Sequence, residues 1–402
     1  MRVLFIYRHF WPDSPPYATL LRSIGTRLSE DQYDVSVWSE QPSYRVADAK
    51  KEPPFYETLD GIKVSRLHRL FCSRNRLFVV LAQLLFPLRI IFKAARSRLN
   101  GEKYQAVAVA TIPPVISGLM GYVVSRIMGA KFYYHVQDIY PEVGVCSGAW
   151  SEGGFRYRFL RRLDSFTCHA ADMIITLSDD MKASLVNRGV SEKKIQVLNN
   201  FIIEQFDDLD RCISDQSFLE DGCFNVIFSG NIGKFQRLEL LVEAGGYLQD
   251  IENLRIVFLG DGAKVDALKQ QARGYSNVQF LDHQPYGVAR SIIQQCDLGV
   301  VSLQNCVYKF AYPSKTLTYL GLGIPILAIV ESESVLARQV TDYRLGLVPD
   351  TISSREIARS IRTVYESDDL HQSIKNSVTP AYETYFSKKH VLSKWKTVFE
   401  TN

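Results

Sequence analysis

Short apolar runs alternate with segments of helical periodicity along the first half of the chain. The strand-like runs are RVLFIY (2–7), DVSVW (34–38), IKVSRL (62–67), AVAVA (106–110), KFYYHV (131–136) and MIITL (173–177). Apolar positions at helical spacing lie between most of these runs, for example in residues 18–28 and 115–128. Apolar strands that alternate with helices are typical of βαβ units, so the pattern predicts a parallel sheet covered on both faces.

The alternation stops after residue 202 and begins again in the second half. The segment EQFDDLDRCISDQSFLEDG (204–222) is acidic and aperiodic, which predicts an interdomain linker. A second series of strand-like runs follows: FNVIFSG (224–230), LRIVFLG (254–260), VQFL (278–281), LGVVSL (298–303), ILAIV (326–330) and LGLVP (345–349). The chain of 402 residues is also longer than one hydrophobic core usually serves.

These patterns predict an α/β protein with two Rossmann-like domains that face each other across a cleft. The predicted parts are an N-terminal domain (1–203), the linker (204–222), a C-terminal domain (223–370) and closing helices (371–402). Ligands of such sheets bind beyond the carboxyl ends of the strands, so the cleft is the expected active site.

Composition narrows the class of protein without naming a ligand. The net charge of +4 is too small to indicate nucleic acid as a partner. The seven cysteines include no C-x-x-C pair, so neither a disulfide framework nor a zinc site is indicated. The first residues, MRVLFIYRHFWPD, have the pattern of a first strand rather than of a leader, and we expect a cytoplasmic protein.

A glycine-containing turn follows the first strand of the second series. FSGNIGKF places Gly230, Asn231 and Lys234 between a strand and a helix. Glycines let backbone N–H groups approach an anion closely, and a lysine adds positive charge at the same place. The alternative is an ordinary strand-to-helix turn with a solvated lysine.

A second anion-binding candidate is the helix start in YPSKTLTYLGLGIPILA (312–328). Pro313 suits the first helical position, which puts Ser314 and Lys315 in the first turn. A lysine is unfavourable at the positive end of a helix dipole, but it becomes favourable when a dianionic group lies between them. The segment therefore predicts a diphosphate site, and a surface lysine is the alternative.

Four segments of the second half come in an order and spacing that resemble a known family. They are SGNIGKFQRLELLVEA (229–244), FLGDGA (258–263), CDLGVVSL (296–303) and YPSKTLTYLGLGIPILA (312–328). In the first half, FWPD (10–13) and HVQDIYPE (135–142) are similar to segments of the same family. Together they resemble retaining GT-B glycosyltransferases of family 4, in the branch typified by bacterial polysaccharide and O-antigen transferases.

The resemblance implies that the N-terminal domain holds the acceptor and the C-terminal domain holds a nucleotide-sugar. His135 would face the donor sugar, and the closing helices would cross back to the N-terminal domain. The diphosphate would be surrounded by Gly230, Asn231, Lys234, Ser314 and Lys315.

One departure concerns two glutamates that the family commonly carries around this helix. The corresponding positions hold Phe310 and Thr318. Thr318 can still hydrogen-bond a ribose hydroxyl, but a neutral contact is weaker than a charged one. The departure leaves open a weak or silent active site.

Retaining transfer develops an oxocarbenium-like sugar and a charged leaving diphosphate, which Lys234, Lys315 and a helix N-terminus can stabilise. No D-x-D segment stands at a strand end, so we expect neither a metal nor a cofactor. The predicted catalytic residues are His135, Asp138 and Glu142. His135 would hydrogen-bond the sugar or assist the developing charge, and Asp138 or Glu142 would orient or deprotonate the acceptor. The alternatives are a buried structural histidine and surface or capping carboxylates.

Residues 69–103, here called the basic insert, are unusually apolar and basic. Its apolar run is too short to span a bilayer and is interrupted by Pro87. Arg89, Lys93 and Arg96 share one helical stripe, which suits an anionic membrane surface. A second basic segment, FRYRFLRRLDSF (155–166), lies in the same domain. The alternative is a helix packed on the sheet with a solvated basic edge.

The residues together favour a glycosyltransferase at the inner face of the plasma membrane that builds a surface polysaccharide. Its expected partners are a UDP-, GDP- or dTDP-sugar, a lipid-linked or saccharide acceptor, and an anionic membrane, but not nucleic acid. Two alternatives are a catalytically silent GT-B subunit that binds a sugar nucleotide or a partner transferase, and a GT-B sugar-nucleotide epimerase. A dinucleotide oxidoreductase is disfavoured because the chain lacks its G-x-G-x-x-G turn.

Overall fold

The structure of the protein is a computed structural model that describes residues 1–13, 15–42, 53–70, 76–146, 148, 150–202 and 218–400. Most of the predicted linker and residues 71–75 of the basic insert lie outside this set. The chain divides into two compact units. The N-terminal unit comprises Met1–Gly144, Trp150–Ile203 and Val391–Asn402, and the C-terminal unit comprises Val145–Ala149 and Glu204–His390.

The first part of the chain alternates strands and helices as its hydrophobic pattern predicts. The elements are β1 (Arg2–Ile6), α1 (Pro16–Glu30), β2 (Asp34–Glu40), β3 (Tyr56–Leu59), β4 (Ile62–Leu67), α2 (Arg76–Leu99), β5 (Ala106–Ala110), α3 (Ile116–Met128), β6 (Lys131–Val136), α4 (Glu142–Cys146), α5 (Phe155–Ala170), β7 (Met173–Thr176), α6 (Asp179–Asn187) and β8 (Ile195–Val197).

In the described part of the N-terminal unit, these strands form one sheet in the order β3-β4-β2-β1-β5-β6-β7-β8. Every neighbouring pair is parallel except β3 and β4, which form an antiparallel hairpin at the edge. Asp60 and Gly61 form the turn of this hairpin, both with positive φ. The Asp-Gly pair is the sequence signal for such a turn, and the sequence analysis did not use it.

Helix α2 lies within the basic insert and continues through Pro87. Pro87 itself is buried, and the helix remains one element of 24 residues. Within the described residues, no helix combines the length and the hydropathy that crossing a bilayer requires.

The C-terminal unit repeats the same alternation. Its elements are β9 (Phe224–Ser229), α7 (Leu238–Gly246), β10 (Leu254–Leu259), α8 (Val265–Gln271), β11 (Val278–Leu281), α9 (Tyr286–Gln294), β12 (Leu298–Ser302), α10 (Ser314–Gly321), β13 (Ile326–Ile329), α11 (Val335–Asp342), β14 (Gly346–Leu347), α12 (Ser354–Tyr365) and α13 (Asp368–Tyr385). The described strands form a parallel sheet in the order β11-β10-β9-β12-β13-β14.

The last helix, α14 (Lys388–Glu400), belongs to the N-terminal unit from Val391 onward. Trp395 and Phe399 are buried in the core that α1 and one face of the sheet form. The ring of Phe399 packs 4.7 Å from the ring of Tyr133 on β6. The chain therefore returns to its first unit through aromatic contacts.

Three helices of the C-terminal unit begin with a serine that caps a backbone N–H group. Ser334, Ser353 and Ser367 each accept a hydrogen bond from the third residue of their helix. Such caps satisfy donors that a helix leaves free at its start. Helix α10 differs because no side chain caps it. The sequence predicted Pro313 as the first helical residue, whereas in the structure Pro313 is the N-cap and the helix begins at Ser314.

Candidate functional site

Hydrogen bonds surround the His135 ring at the carboxyl edge of the N-terminal sheet. His135 is the fifth residue of β6 and is paired with Ala110 on β5. Its Nδ1 lies 2.9 Å from the Tyr17 hydroxyl, and its Nε2 lies 2.7 Å from the Gln137 side-chain nitrogen. The Trp395 ring packs against it at 5.1 Å between centroids. The imidazole is thus held in one orientation.

The same surroundings keep His135 neutral. Burial lowers the pKa of His135 to about 3, and burial also raises the pKa of Tyr17 well above its usual value. Gln137 accepts a hydrogen bond of 2.8 Å from the Asn200 side chain, which extends a chain of neutral groups. A neutral imidazole can hydrogen-bond a sugar but carries no charge of its own at pH 7. Of the two predicted roles of His135, hydrogen bonding to a sugar is therefore favoured.

Asp138 lies three residues further along and is anchored through its backbone. The N–H groups of Gln137 and Asp138 donate to the Thr111 hydroxyl at 3.0 and 3.4 Å. Burial raises the pKa of Asp138 to about 6. A carboxylate that titrates near neutrality suits proton transfer, which fits the predicted role of Asp138 toward an acceptor hydroxyl.

Glu142 takes part in a buried ion-pair network. Arg188 binds Glu142 and Asp164 together, with 2.7 Å between its guanidinium and the Asp164 carboxylate. Arg161 lies 3.6 Å from Glu142 on the other side. Burial raises the pKa of Asp164 to about 6, although Arg188 opposes this shift. In the structure Glu142 therefore has ion-pair partners that the sequence analysis did not predict.

A histidine–aspartate pair follows β1, and the sequence analysis did not select it. His9 Nδ1 lies 2.9 Å from the carboxylate of Asp13, which is 1% exposed. The His9 ring packs against Tyr7, which in turn packs against Tyr17. The spacing of four residues was a visible signal, but nothing in the sequence connected it to His135. Across the described residues, no group of three or more His, Cys, Asp or Glu side chains is placed to hold a metal ion.

Two strand-to-helix turns of the C-terminal unit pack backbone against backbone. A Cβ added at Gly260 would lie 2.2 Å from the Gly230 carbonyl oxygen, and one at Gly262 would lie 2.3 Å from the Ile232 oxygen. Gly230 and Gly260 also have φ values of +112° and +138°, which side chains rarely permit. The glycines are thus required by the close approach of the two turns.

Lys315 extends from the first turn of α10 toward this loop. Its ammonium group lies 4.8 Å from the centre of the Phe228 ring, and a Cβ at Gly230 would lie 3.2 Å from it. Among the residues that the structure describes, no carboxylate lies within 4.0 Å of it. Burial lowers the pKa of Lys315 to about 8. A bound anion would stabilise a partly buried cation of this kind at an uncapped helix start.

A cavity of about 380 Å³ joins these features. Five of the six predicted donor-binding residues line it: Gly230, Asn231, Ser314, Lys315 and Thr318. Lys234 is exposed and does not line this cavity. The sequence analysis missed the wall that α9 contributes, which includes Tyr286 and Arg290. These two residues are one helical turn apart, but their segment carried no motif that indicated a ligand.

One residue that lines the cavity also links two of its walls through hydrogen bonds. The Tyr319 hydroxyl accepts a hydrogen bond of 2.9 Å from the Ser229 N–H and donates to the Ile227 carbonyl at 3.3 Å. Its ring lies where Gly299 has no side chain. Tyr319 therefore ties α10, which carries Lys315, to the end of β9, which leads into the Gly230 turn.

Of the three cations predicted to contact a membrane, two turn inward to protein partners and one is exposed. Arg89 binds Glu40 at 2.7 Å, and Lys93 donates to the Ser65 hydroxyl at 2.6 Å, whereas Arg96 is exposed. The exposed face of α2 is instead an apolar stripe, defined as Leu81, Leu84, Leu88, Phe92 and Leu99. In the second basic segment, α5 exposes Phe155, Phe159 and Phe166 among its arginines.

Comparison with models of known protein families shows which family the chain belongs to. A model described as "Glycosyl transferase 4-like domain" matches residues 17–200, and one described as "Glycosyl transferases group 1" matches residues 212–379. The chain therefore belongs to the GT-B glycosyltransferases of the family 4 type.

Two curated relatives and a solved structure are similar to the chain. "Probable glycosyltransferase WbjE" of Pseudomonas aeruginosa is 26% identical over 247 residues, which are 60% of this chain and 61% of that protein. "Putative colanic acid biosynthesis glycosyl transferase WcaI" of Escherichia coli (strain K12) is 27% identical over 210 residues, which are 50% and 51%. The matches thus span about half to three fifths of these relatives.

HepE from Anabaena, solved in complex with UDP, superposes with a TM-score of 0.71. The superposition covers all of both chains at 15% sequence identity. It shows that the chain has the GT-B fold, as the sequence analysis predicted.

The ion-pair network predicts the effect of removing its central cation. Arg188→Met leaves two buried carboxylates without their shared partner, so we expect a loss of about 3–5 kcal/mol in the free energy of unfolding. Denaturant unfolding followed by circular dichroism measures it. Arg162→Met, at an exposed position on α5, is the matched control and should change stability by less than about 0.5 kcal/mol. Equal effects of the two substitutions would contradict a structural role for this network.

Proposed function

We propose that the protein is a glycosyltransferase that moves a hexose, with retention, from a nucleoside-diphosphate sugar to a lipid-linked saccharide in surface polysaccharide synthesis. The observation that carries the proposal is the Lys315 ammonium group in the α10 cavity, which has no carboxylate within 4.0 Å in the described structure. Relatives named for colanic acid biosynthesis and as a probable glycosyltransferase support the class of reaction. HepE, which shares the fold, has been solved with UDP and with UDP-glucose.

In the proposed reaction the diphosphate lies between Lys315 and the backbone of the Gly230 turn. The uncapped N–H groups of α10 add positive potential, and the Ser314 hydroxyl can donate a hydrogen bond. Positive charge that is already in place stabilises the leaving group as the bond to the sugar breaks. These groups would supply the charge without a metal ion or a cofactor, and Lys234, which is exposed and does not line the cavity, is given no contact in this proposal.

The nucleoside in this proposal lies along α9 and α10. Thr318 stands where the family commonly has a ribose-binding glutamate, and its hydroxyl has only a weak contact of 3.5 Å to the Ser314 carbonyl. Tyr286 and Arg290 line the same cavity, so an aromatic ring and a guanidinium can replace the missing carboxylate contacts. In the N-terminal unit, we assign His135 to the sugar and Asp138 to the acceptor hydroxyl.

We also propose that the protein binds the inner face of the plasma membrane peripherally. The support is the apolar stripe of α2, whose five side chains are 40–87% exposed, and the phenylalanines among the arginines of α5. Side chains of this kind bury apolar area at the boundary of headgroups and acyl chains. A lipid-linked acceptor would be reached from this position.

The donor site can be tested directly with purified protein. We expect one nucleotide sugar of a UDP-, GDP- and dTDP-sugar panel to bind and to release nucleotide when a lipid-linked saccharide is added. Lys315→Met should weaken donor binding by about 10–100-fold, because it removes a charged contact worth about 1.5–3 kcal/mol. Calorimetric titration measures the affinity, and Lys375→Met, exposed on α13, is the matched control.

Three outcomes of this test differ in meaning. Binding without turnover on any acceptor would indicate a silent subunit, and interconversion of the free nucleotide sugar would indicate an epimerase. No binding of any donor would overturn the transferase.

Vesicle flotation tests the membrane contact. The double variant Leu88→Gln/Phe92→Gln loses apolar area, so we expect at least about tenfold weaker binding to phosphatidylcholine vesicles that contain phosphatidylglycerol. Tyr247→Gln, which alters an exposed aromatic residue of the C-terminal unit, should leave binding unchanged. Unchanged flotation of the double variant would contradict the contact.

A further inference from the structure

A second, larger cavity lies in the N-terminal unit, on the face of the sheet that α2 covers. Its volume is about 1150 Å³. Trp38 of β2 and Tyr104 lie on the sheet side, β4 contributes Ser65, and α2 contributes Lys93 and Arg96. We call it the α2 cavity, and none of the donor, sugar or acceptor roles assigned above uses it.

The α2 cavity is distinct from the edge that carries His135. It includes Arg2, the first residue of β1, and Glu102, which precedes β5, so it reaches the amino edge of the parallel sheet. It also extends to Leu67, the last residue of β4, but neither His135 nor the two side chains that hydrogen-bond its ring line it. The α2 cavity is therefore a separate site and not part of the acceptor position proposed above.

Most cations around the α2 cavity already have carboxylate partners. Arg66 lies 2.5 Å from Glu57, and Arg89 lies 2.7 Å from Glu40. Arg2 and Lys63 share Asp34, at 3.1 and 2.8 Å. Each of these four cations therefore has a carboxylate partner in a fixed polar wall.

Lys93 and Arg96 are different. The Lys93 ammonium group donates to the Ser65 hydroxyl at 2.6 Å and lies 4.7 Å from the centre of the Trp38 ring. Within the described ranges, neither Lys93 nor Arg96 has a carboxylate within 4.0 Å. Burial lowers the pKa of Lys93 to about 8, although Glu102 opposes the shift. Lys93 is partly buried without an ion-pair partner, which is costly, and a bound anion would reduce that cost.

The rim of the α2 cavity is apolar and aromatic. Leu88 and Phe92 line the cavity and belong to the apolar stripe, with 62% and 72% of their surface exposed. Tyr56 lies on the β3 side of the rim and is 77% exposed. A soluble anion would explain the two cations but not the apolar rim. A molecule with an anionic head and apolar chains explains both.

We propose that the α2 cavity binds the phosphate headgroup of an anionic phospholipid of the bilayer. Lys93 and Arg96 contact the phosphate, and the acyl chains leave over Leu88 and Phe92. The inference rests on the peripheral membrane contact proposed above and gives that contact a specific lipid. It does not depend on the transfer reaction.

Vesicle binding of matched variants is the test. We expect full-length protein to bind vesicles of phosphatidylcholine with phosphatidylglycerol more tightly than vesicles of phosphatidylcholine alone. Lys93→Met and Arg96→Gln should each lower the anionic-vesicle affinity by at least about tenfold, as lost charged hydrogen bonds do. Arg98→Gln removes the same charge from an exposed position of α2 outside the cavity, and it should cost no more than about fivefold. Affinity for neutral vesicles should not change.

A second readout reports on the cavity itself. Acetylation of Lys93 by acetic anhydride, followed by peptide mass spectrometry, should slow when anionic vesicles are bound and not with neutral ones. Lys103, outside the cavity, provides the internal reference.

Several results would overturn the inference. Equal losses for Arg96→Gln and Arg98→Gln would mean diffuse surface attraction. Protection of Lys93 by inorganic phosphate alone, as complete as with vesicles, would mean a soluble anion. A dimer by light scattering that Phe92→Gln dissociates would mean that a second copy covers this face. Failure of the wild-type protein to bind either vesicle would remove this site and the membrane contact together, while nucleotide release would still decide the transferase.

Discussion

The C-terminal site depends on one electrostatic constraint: a lysine ammonium group is held at the positive end of a helix, with no carboxylate of the described residues beside it. Lys315 is kept there by the start of α10 and by the Phe228 ring. The turns at Gly230 and Gly260 pack backbone against backbone, with no space for a side chain between them. Tyr319 fixes the distance between these parts through its bonds to β9. The arrangement is electrostatically incomplete by itself, and a diphosphate has the charge that completes it.

The N-terminal unit handles its buried polar groups in the opposite way. His135 is neutral and belongs to a chain of neutral hydrogen bonds, and Glu142 is satisfied by Arg188. Asp138 is the exception, because burial raises its pKa to about 6 and no ion pair of the described residues holds it. In the reaction that we propose, the two units would supply complementary chemistry: Lys315 would supply fixed positive charge for a leaving group, and Asp138 would supply a carboxylate able to accept a proton.

Much of the fold could be predicted from the sequence because apolar runs and helical spacing are local signals. Five predicted donor residues line one cavity for the same reason, since four lie next to a strand end or a helix start and Thr318 lies one turn further along α10. What the sequence did not reveal depends on distant partners. Arg89 and Lys93 face inward because Glu40 and Ser65 come from β2 and β4. Tyr286 and Arg290 were missed because only the packing of α9 beside α10 brings them to the cavity.

The central claim is that Lys315 is the charge that binds the donor diphosphate. Because the pKa of Lys315 is about 8, the Lys315 side chain is uncharged in most molecules above that pH. A bound diphosphate would favour the charged form and so raise this pKa. Titration of UDP near pH 8.5, by calorimetry in buffers of different ionisation enthalpy, measures the protons taken up. The account predicts net proton uptake that Lys315→Met abolishes, with affinity falling as the pH rises above about 8. Binding of UDP without proton uptake, or uptake that persists in Lys315→Met, would contradict it.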